Sequence, residues 1–303
     1  MSAGEPSPVA PALSPAVAGW ESRGTYLTLG RRRIFTLDLP AAEPSGEPAV
    51  LLLHGFPTSS FDYHLVVDTL NRTRRVLSLD FLGFGLSEKP DTAYTVDLQA
   101  DLVMDFLGVV DVEAFALVTH DMGDTVGGEL LARHMDGIWP VDVAQRIVTN
   151  GSIYIEMAHL TSGQELLLGL PDTLLAPGTI DQPALTGALA ATMGPGTTLP
   201  AEDMAALWEL VAHDHGDRLL ARLIRYVAER RVRQARFTGA IERHPSPLTV
   251  VWGTEDPVAV PAMTTRLAEA RPDARVVLLP GVGHYPMLEA PRRFIESLSS
   301  ALA

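Results

Sequence analysis

The sequence contains no cysteine in its 303 residues, which excludes disulfide bonds, thiolate catalysis and cysteine-ligated metal sites. Basic residues are few beside acidic ones, 23 against 37, and the formal net charge is −14. A charge of this sign disfavours binding to DNA, RNA or other polyanions. No apolar run approaches the roughly 18 residues that a membrane-spanning helix requires, so we expect no membrane span.

The first twenty residues, MSAGEPSPVAPALSPAVAGW, are rich in Pro, Ala and Ser. They lack the basic start and the apolar stretch of a signal peptide, and we predict a flexible leader over residues 1–20. A cytoplasmic enzyme is the default expectation. Since 47% of all residues are hydrophobic, the rest of the chain can bury a sizeable core.

Short Val/Leu/Ile runs alternate with helical patterns along most of the chain. An opening hairpin is predicted over residues 25–39, around Gly30, and buried strands over residues 49–53, 75–80, 115–119, 146–150, 248–252 and 275–279. Helices are predicted over residues 62–71, 95–108, 123–135, 260–270 and 288–302. Continuous apolar strands alternating with helices are typical of an α/β protein with a mostly parallel, doubly wound sheet.

The alternation stops between residues 150 and 247, where no strand pattern is found. Helical stretches there are separated by the Gly/Pro-rich segments GLPDTLLAPGTIDQP and MGPGTTLP. We therefore predict a helical cap over residues 153–244, inserted into a core formed by residues 21–152 and 245–303. A cap of this kind would cover the carboxyl edge of the sheet, where α/β proteins bind their ligands.

Polar motifs follow four of the predicted strands. His54-Gly55-Phe56-Pro57 follows the strand at 49–53, Asp121 follows 115–119, Asp256 follows 248–252 and His284 follows 275–279. Two carboxylates and an imidazole in the order nucleophile, acid, base match the order of the α/β-hydrolase triad. We predict a catalytic site at this edge of the sheet.

An aspartate at the nucleophile position restricts the chemistry. A serine that attacked a saturated carbon would form an ether, which water activated by histidine cannot cleave. Asp121 would form an ester, which can be hydrolysed at its own carbonyl carbon. His284 is predicted to activate that water, with Asp256 orienting the imidazole. The backbone N–H groups of Phe56 and Met122 are candidates for the oxyanion hole.

These motifs resemble the α/β-hydrolase superfamily, in the branch that contains epoxide hydrolases and haloalkane dehalogenases. The segments that carry the resemblance are HGFPTSSFDY, DFLGFGLSEKP, THDMGD, WGTEDPV and GHYPMLEAP. The mesoderm-specific transcript proteins and their bacterial relatives are similar into the cap, through TNGSIY and RYVAERRVRQARFTGAI. The resemblance covers roughly residues 24–300.

The resemblance implies two possible leaving groups. Dehalogenases of this branch hold the halide with side-chain N–H donors, but the corresponding positions here are Met122 and Phe56, which have none; a cap donor such as Trp208 lacks support. Epoxide hydrolases use cap tyrosines as proton donors, and Tyr226, 21 residues before Pro247, resembles one of them. The second tyrosine has no clear match, and Tyr154 or His159 is the candidate substitute.

Several residues have alternative interpretations. Glu156, after the strand at 146–150, is an alternative acid to Asp256. His54 is expected to be structural, beside a Pro57 that is a candidate for a cis peptide. HDHGD at 213–217 is interpreted as a polar loop rather than a metal site. The arginines at 225, 230, 231, 233 and 236 are predicted to form a solvated helix face.

The sequence therefore predicts an epoxide hydrolase that needs no cofactor or metal and acts on a small apolar epoxide and water. Two alternatives stay open. One is a haloalkane or haloacid dehalogenase with unusual halide donors, and the other is a ligand-binding protein on a hydrolase scaffold. The substrate and the oligomeric state are not encoded in any recognisable motif.

Overall fold

A computed structural model describes residues 12–43 and 45–303. Its centre is one eight-stranded sheet in the order β1-β2-β4-β3-β5-β6-β7-β8. The strands are β1 (Thr25–Leu29), β2 (Arg32–Leu39), β3 (Ala49–Leu53), β4 (Val76–Leu79), β5 (Ala114–His120), β6 (Asp142–Thr149), β7 (Leu248–Gly253) and β8 (Arg275–Leu279). Each predicted strand is present, and β6 begins four residues earlier than predicted.

The sheet is parallel except at one edge. β1 pairs antiparallel with β2, and β2 pairs antiparallel with β4, while all other neighbours are parallel. Gly30 and Arg31 turn the predicted hairpin with φ values of 50° and 67°. Every residue of β3, β4 and β7 is buried, as continuous apolar runs covered on both faces require. The predicted α/β-hydrolase architecture is confirmed.

Helices lie on both sides of the sheet and between β6 and β7. They are α1 (Pro15–Glu21), α2 (Val67–Leu70), α3 (Val96–Val109), α4 (Met122–Met135), α5 (Ser162–Gly169), α6 (Gln182–Ala190), α7 (Ala201–Ala212), α8 (Leu220–Leu223), α9 (Tyr226–Arg243), α10 (Ala262–Ala270), α11 (Pro286–Glu289) and α12 (Pro291–Leu302). The segment predicted as one helix over 62–71 is instead a 3-10 helix, Ser60–Tyr63, followed by the short α2.

The prediction of a flexible leader is wrong for residues 15–20, and residues 1–11 lie outside the described part of the chain. The side chain of Ser14 caps α1 by accepting the backbone N–H of Val17, and Pro15 occupies the first turn, where its missing N–H costs nothing. Val17 and Trp20 are buried, and the Trp20 indole donates to Ser60 Oγ at 3.3 Å. Tertiary packing, which a local composition cannot reveal, therefore orders this segment.

Residues 150–247, between β6 and β7, are mostly helical and contain no strand; we call residues 153–244 the cap segment. The Gly/Pro-rich stretches lie in the loops that separate α5 from α6 and α6 from α7. The helical sequence pattern over residues 218–237 does not form one continuous helix. It is interrupted between α8 and α9, so that Tyr226 starts a new helix.

Helix α9 packs against α4, the helix that follows the nucleophile turn. A Cβ at Gly128 would lie 2.8 Å from the backbone oxygen of Phe237, so only glycine allows this approach of the two helices. Further along, the buried Glu129 accepts hydrogen bonds from Arg233 and Arg236. The cap segment is thereby fixed directly to the core helix that carries Asp121.

The predicted solvated arginine face is therefore only partly correct. Arg231 is exposed, but Arg233 and Arg236 bind Glu129, and Arg230 is 2% exposed. Arg225 donates to the backbone oxygen of Leu168 at 3.0 Å. A helical pattern does not show which face of α9 meets a carboxylate on α4. In the described ranges, no helix is both long and apolar enough to cross a membrane.

Candidate active site

Asp121 lies at the sharp turn between β5 and α4. Its φ of 49° and ψ of −109° place a non-glycine residue in a strained conformation that costs on the order of 1–3 kcal/mol. Gly123 permits the turn, because a Cβ there would lie 2.5 Å from the backbone oxygen of Leu53. The turn holds the Asp121 side chain at the carboxyl end of the central strands, as the sequence predicts.

Two donors hold the Asp121 carboxylate. The backbone N–H of Phe56 donates to Oδ2 at 2.9 Å, and the hydroxyl of Tyr226 lies 3.3 Å from both Oδ1 and Oδ2. Asp121 is 1% exposed and Tyr226 2% exposed, so these hydrogen bonds form out of contact with bulk water. Tyr226 reaches this position because α9 begins with it.

His284 and Asp256 form a buried pair beside Asp121. The Nδ1–H of His284 donates to Asp256 Oδ2 at 2.8 Å, which leaves Nε2 free for a water or a substrate. Asp256 Oδ1 accepts backbone N–H groups from Val258 at 2.8 Å and Ala259 at 3.0 Å. These bonds fix the Asp256 carboxyl group and, through it, the plane of the imidazole.

The charge of the imidazole depends on both aspartates. Burial disfavours the imidazolium, but the charge of Asp256, the hydrogen bond to it and the charge of Asp121 outweigh burial and raise the pKa of His284 to about 9. The resting site at neutral pH is therefore an ion triad of two carboxylates and one imidazolium. Loss of the Asp121 charge would lower the pKa of His284.

Asn150 is a site residue that sequence reasoning missed. Its Nδ2 donates to Asp256 Oδ2 at 2.8 Å, and its Oδ1 accepts the backbone N–H of Gly253 at 2.9 Å. Asn150 follows directly after β6 with a φ of 43°. A polar residue at the end of one more central strand is the signal that could have identified it.

The oxyanion-hole candidates lie on the two loops that meet at Asp121. Phe56 N–H already contacts the carboxylate. Met122 is the first residue of α4, and the first backbone N–H groups of a helix have no intrahelical acceptor. His54 has the structural position expected for it, since its Nε2 accepts the backbone N–H of Phe81 at 3.0 Å. The Phe56–Pro57 peptide is cis.

The structure does not bring the two candidate second donors to Asp121. The Tyr154 hydroxyl donates to Glu242 at 2.8 Å, and Tyr154 lines a separate polar pocket beside Arg266. His159 is exposed, and its backbone N–H donates to Val258. Both predictions are wrong because the 3-10 helix after β6, Ile155–Met157, directs this segment away from Asp121 and towards α9 and α10.

The prediction of Glu156 as an alternative acid to Asp256 is also wrong. Glu156 is exposed and forms an ion pair with Arg266, and it accepts a hydrogen bond from Gln234 at 2.8 Å. The imidazole of His284 is hydrogen-bonded to Asp256. Asp256, which follows β7, is therefore the acid beside His284, and Glu156 is not.

A cavity of about 200 Å³ lies between the cap segment and the core. Its core wall contains Phe56, Pro57, Val258, His284 and Tyr285, and its cap wall is formed mainly by apolar side chains of α5, α6 and α8. Asp121 and Tyr226 do not line it, but both contact Phe56, which does: the Phe56 N–H donates to Asp121, and the Phe56 ring lies 6.1 Å from the Tyr226 ring. A molecule in this cavity would meet apolar surface on most sides.

A metal centre is not apparent in the part of the chain that the structure describes, because no three His, Asp or Glu side chains there converge on a common point. In the HDHGD segment, Asp214 and His215 have positive φ values of 49° and 61°, which interrupts the helix that would have aligned the side chains. The segment lies in an irregular 3-10 helix, His213–Leu219, and not in the loop that the sequence predicts.

Comparison with known proteins places this geometry in a family. The model of the alpha/beta hydrolase family matches residues 50–297. A protein of Mycobacterium tuberculosis named "Putative hydrolase LipZ" is 38% identical over 290 residues, which is 95% of this chain and 99% of the relative. The mesoderm-specific transcript protein of Mus musculus is 31% identical over 303 aligned positions, 95% of this chain and 88% of that protein.

Among solved structures, an alpha/beta hydrolase fold protein from Burkholderia ambifaria superposes with a TM-score of 0.74 at 19% identity. The superposition covers 91% of this chain and 97% of the other. The resemblance to α/β-hydrolases and to mesoderm-specific transcript proteins is thus confirmed. With its sheet order, its strained turn after β5 and its match over most of its length, the chain belongs to the α/β-hydrolase family.

Proposed function

We propose that the protein is an epoxide hydrolase that opens an apolar epoxide through a covalent ester on Asp121. The observation that carries the proposal is the Tyr226 hydroxyl 3.3 Å from both oxygens of a buried aspartate at the nucleophile position. A carboxylate suits attack on saturated carbon, and a phenol next to it suits protonation of a departing alkoxide.

In the first step, an Asp121 oxygen attacks a ring carbon, and the ring C–O bond breaks with its electron pair on oxygen. That oxygen takes the proton of Tyr226. Burial and the charge of Asp121 raise the pKa of Tyr226 well above 10, so the phenol stays protonated until attack. Ester formation removes the Asp121 charge, which makes the phenol more acidic when the alkoxide appears.

The second half of the cycle begins with a proton shift. With Asp121 neutral as an ester, the imidazolium of His284 gives its proton to the Tyr226 phenolate and becomes a free base. Nε2 then takes a proton from water, and the hydroxide adds to the ester carbonyl carbon of Asp121. The tetrahedral oxyanion collapses and breaks the bond to the second diol oxygen, which leaves with the proton of the added hydroxyl group. Asp121 is then a carboxylate again and His284 an imidazolium, so the ion triad is restored.

The oxyanion in this step would form on the Asp121 carboxyl group itself. Phe56 N–H is already 2.9 Å from Oδ2, and Met122 N–H is the second proposed donor. A lost donor of this type typically costs about 3 kcal/mol of transition-state stabilisation. Both donors are backbone groups, one in the loop after β3 and one at the start of α4, so they are in place without reorganisation.

A halide is a poor alternative leaving group here. The side chains of Phe56 and Met122 carry no N–H donor. All four tryptophans lie in the described part of the chain, and none of them lines the cavity. The indole of Trp252 donates instead to the backbone oxygen of Ala259. A chloride or bromide ion leaving from this site would find no side-chain donor of the kind that dehalogenases use.

The lining of the cavity favours an apolar substrate. Ile180, Leu185, Leu189 and Leu220 are among its cap-side residues, while Phe56 and His284 line it on the core side. A ligand-binding role alone would give no physical reason to retain the buried Asp121, His284 and Asp256 arrangement, which is costly to desolvate.

The test is to trap the ester. His284→Gln mixed with a panel of aliphatic and aryl epoxides should accumulate an Asp121 adduct, read by intact-mass and peptide mass spectrometry. An epoxide adds its whole mass, whereas an alkyl halide adds its mass less that of the hydrogen halide, so the adduct identifies the leaving group. Asp121→Asn is the matched control and should form no adduct. Wild-type enzyme that forms no diol from any epoxide, with adducts only from halides, would overturn the proposal.

A further inference from the structure

Arg230 is a buried cation that the proposed cycle does not use. It is 2% exposed and lies one helical turn after Tyr226 on α9, with its guanidinium carbon 5.8 Å from the Tyr226 ring centroid. Nη2 donates to the backbone oxygen of Asp121 at 3.3 Å. Within the described residues, Nη1 is buried and has no hydrogen-bond partner.

Burial of a guanidinium cation costs free energy, and few groups in contact with Arg230 offset that cost. No carboxylate among the described residues lies within ion-pair distance of Arg230. Burial lowers its pKa, against the opposing effects of Tyr226, Asp121 and Asp124. An unpaired buried guanidinium is expected to be destabilising, so packing alone does not explain its position behind the nucleophile.

Asp124 adds to this argument. Its Oδ2 is also buried without a partner in the described chain, although the Thr119 hydroxyl donates to Oδ1. Burial raises the pKa of Asp124 to about 7, against the lowering effects of Thr119 and Arg230. Its negative charge is therefore only partly present at neutral pH, and the positive charge of Arg230 is not fully neutralised on that side.

We propose that Arg230 is a positioning residue that holds the Asp121 backbone in the strained turn and stabilises, through the low-dielectric interior, the negative charge that develops on Asp121 during ester hydrolysis. The inference rests on the proposed function. The Asp121 side chain is neutral in the ester, and it becomes anionic in the tetrahedral intermediate and in the regenerated carboxylate. A fixed cation behind it favours both later states over the ester.

The two steps should therefore respond differently to loss of this charge. Ester formation transfers the negative charge from Asp121 to Tyr226, whose ring also lies near Arg230, so removal of the cation should change the rate of this step by no more than a few-fold. Ester hydrolysis creates the negative charge, so removal should slow it by about tenfold or more. This is the opposite pattern to that of a proton donor to the epoxide, which acts in ester formation.

The experiment is single-turnover mixing of the whole protein with an epoxide that forms the adduct on His284→Gln, followed by acid quench and intact-mass analysis. Arg230→Gln should form the ester within a few-fold of the wild-type rate and then accumulate it, because hydrolysis is slowed. Arg230→Lys, which keeps the charge, should restore most of the hydrolysis rate. Arg231→Gln is the matched control, since Arg231 is the exposed neighbour on α9.

Asp124→Asn tests the same idea without altering Arg230. Removal of this carboxyl leaves the cation less neutralised, so ester hydrolysis should be no slower than in wild type. Three results would overturn the role of Arg230. A folded Arg230→Gln could slow both steps equally, Arg230→Lys could fail to restore hydrolysis, or Asp124→Asn could hydrolyse the ester more slowly than wild type. Absence of any epoxide adduct on His284→Gln would instead show that the proposed function has failed, and the role of Arg230 would fall with it.

Discussion

The hydroxyl of Tyr226 lies equally close, 3.3 Å, to the two carboxylate oxygens of Asp121. The two residues come from α9 and from the turn before α4, and they meet because Gly128 lets these helices pack closely. A nucleophile and a proton donor are thereby held together before any substrate enters. The predictions below follow from this arrangement and from the charges around it.

Tyr226→Phe should slow ring opening by about a hundredfold and leave ester hydrolysis largely unchanged. The phenol proton is used when the epoxide oxygen departs. Without the phenol, the alkoxide would take the proton of His284 instead, which still leaves the imidazole free to activate water. Rapid-quench measurement of adduct formation and decay separates the two rates. Tyr154→Phe is the control, because its hydroxyl binds Glu242; a loss as large as that of Tyr226→Phe would contradict the assignment.

The protonation of His284 should follow the charge of Asp121. In wild type the imidazole should titrate with a pKa of about 9, since Asp256 and Asp121 outweigh the effect of burial. Asp121→Asn removes one of these charges, so the pKa should fall, and Asp256→Asn should lower it further. Ring NMR signals of ¹⁵N-labelled His284 give the titration directly.

The same shift predicts a pH dependence of stability. A histidine whose folded-state pKa is raised from 6.5 to about 9 contributes stability that is fully present below pH 6.5 and is lost as the pH rises through about 9. Denaturant unfolding between these pH values should therefore show a larger loss in wild type than in Asp121→Asn. An identical pH dependence of the two proteins would mean that Asp121 does not support the imidazolium.

Gly123→Ala should abolish activity by displacing the turn, because the added Cβ would meet the backbone oxygen of Leu53 at 2.5 Å. Gly108→Ala in α3 is the matched control. Apart from the neighbouring backbone of α3, no atom of the described residues lies within 4 Å of a Cβ at Gly108, and alanine should stabilise that helix by about 0.5–1 kcal/mol. The activity and the free energy of unfolding of both variants test these two expectations. An active Gly123→Ala would show that the turn between β5 and α4 tolerates a shift.

Substrate size should be limited by the cap side of the cavity. Ala188 lines the cavity from α6, so Ala188→Phe should reduce kcat/KM for bulky epoxides more than for small ones. Ala190→Phe is the control on the same helix, where the residue is exposed and does not line the cavity. Kinetics over a size series of epoxides give the comparison, and equal effects of the two variants would place substrate binding elsewhere.

The strands and the order of the site residues could be predicted because both leave strong local signals. A buried parallel strand needs a continuous apolar run, and the polar residues that follow such runs meet at one edge. Tyr226 was predicted from a family spacing. What escaped prediction depends on which surfaces meet in three dimensions. Asn150 binds Asp256 across the sheet edge, and Arg230 is buried only because α9 lies on α4.

The errors have the same physical origin. Val17 and Trp20 look like part of a flexible leader until the core that buries them is present. Tyr154 follows β6 at a plausible distance for a proton donor, but the hydrogen bond to Glu242 directs its hydroxyl away from Asp121. Composition and periodicity describe one segment at a time, whereas each of these positions is decided by a contact with another segment.

The most direct test of the covalent mechanism is the fate of solvent oxygen during turnover. Wild-type enzyme should be incubated with an epoxide in H₂¹⁸O over many cycles, and the peptide that contains Asp121 analysed by mass spectrometry. If water attacks the ester carbonyl, the Asp121 carboxyl group gains ¹⁸O, while His284→Gln shows none. Diol formation with an unlabelled Asp121 would contradict the account, because water would then have attacked the epoxide itself.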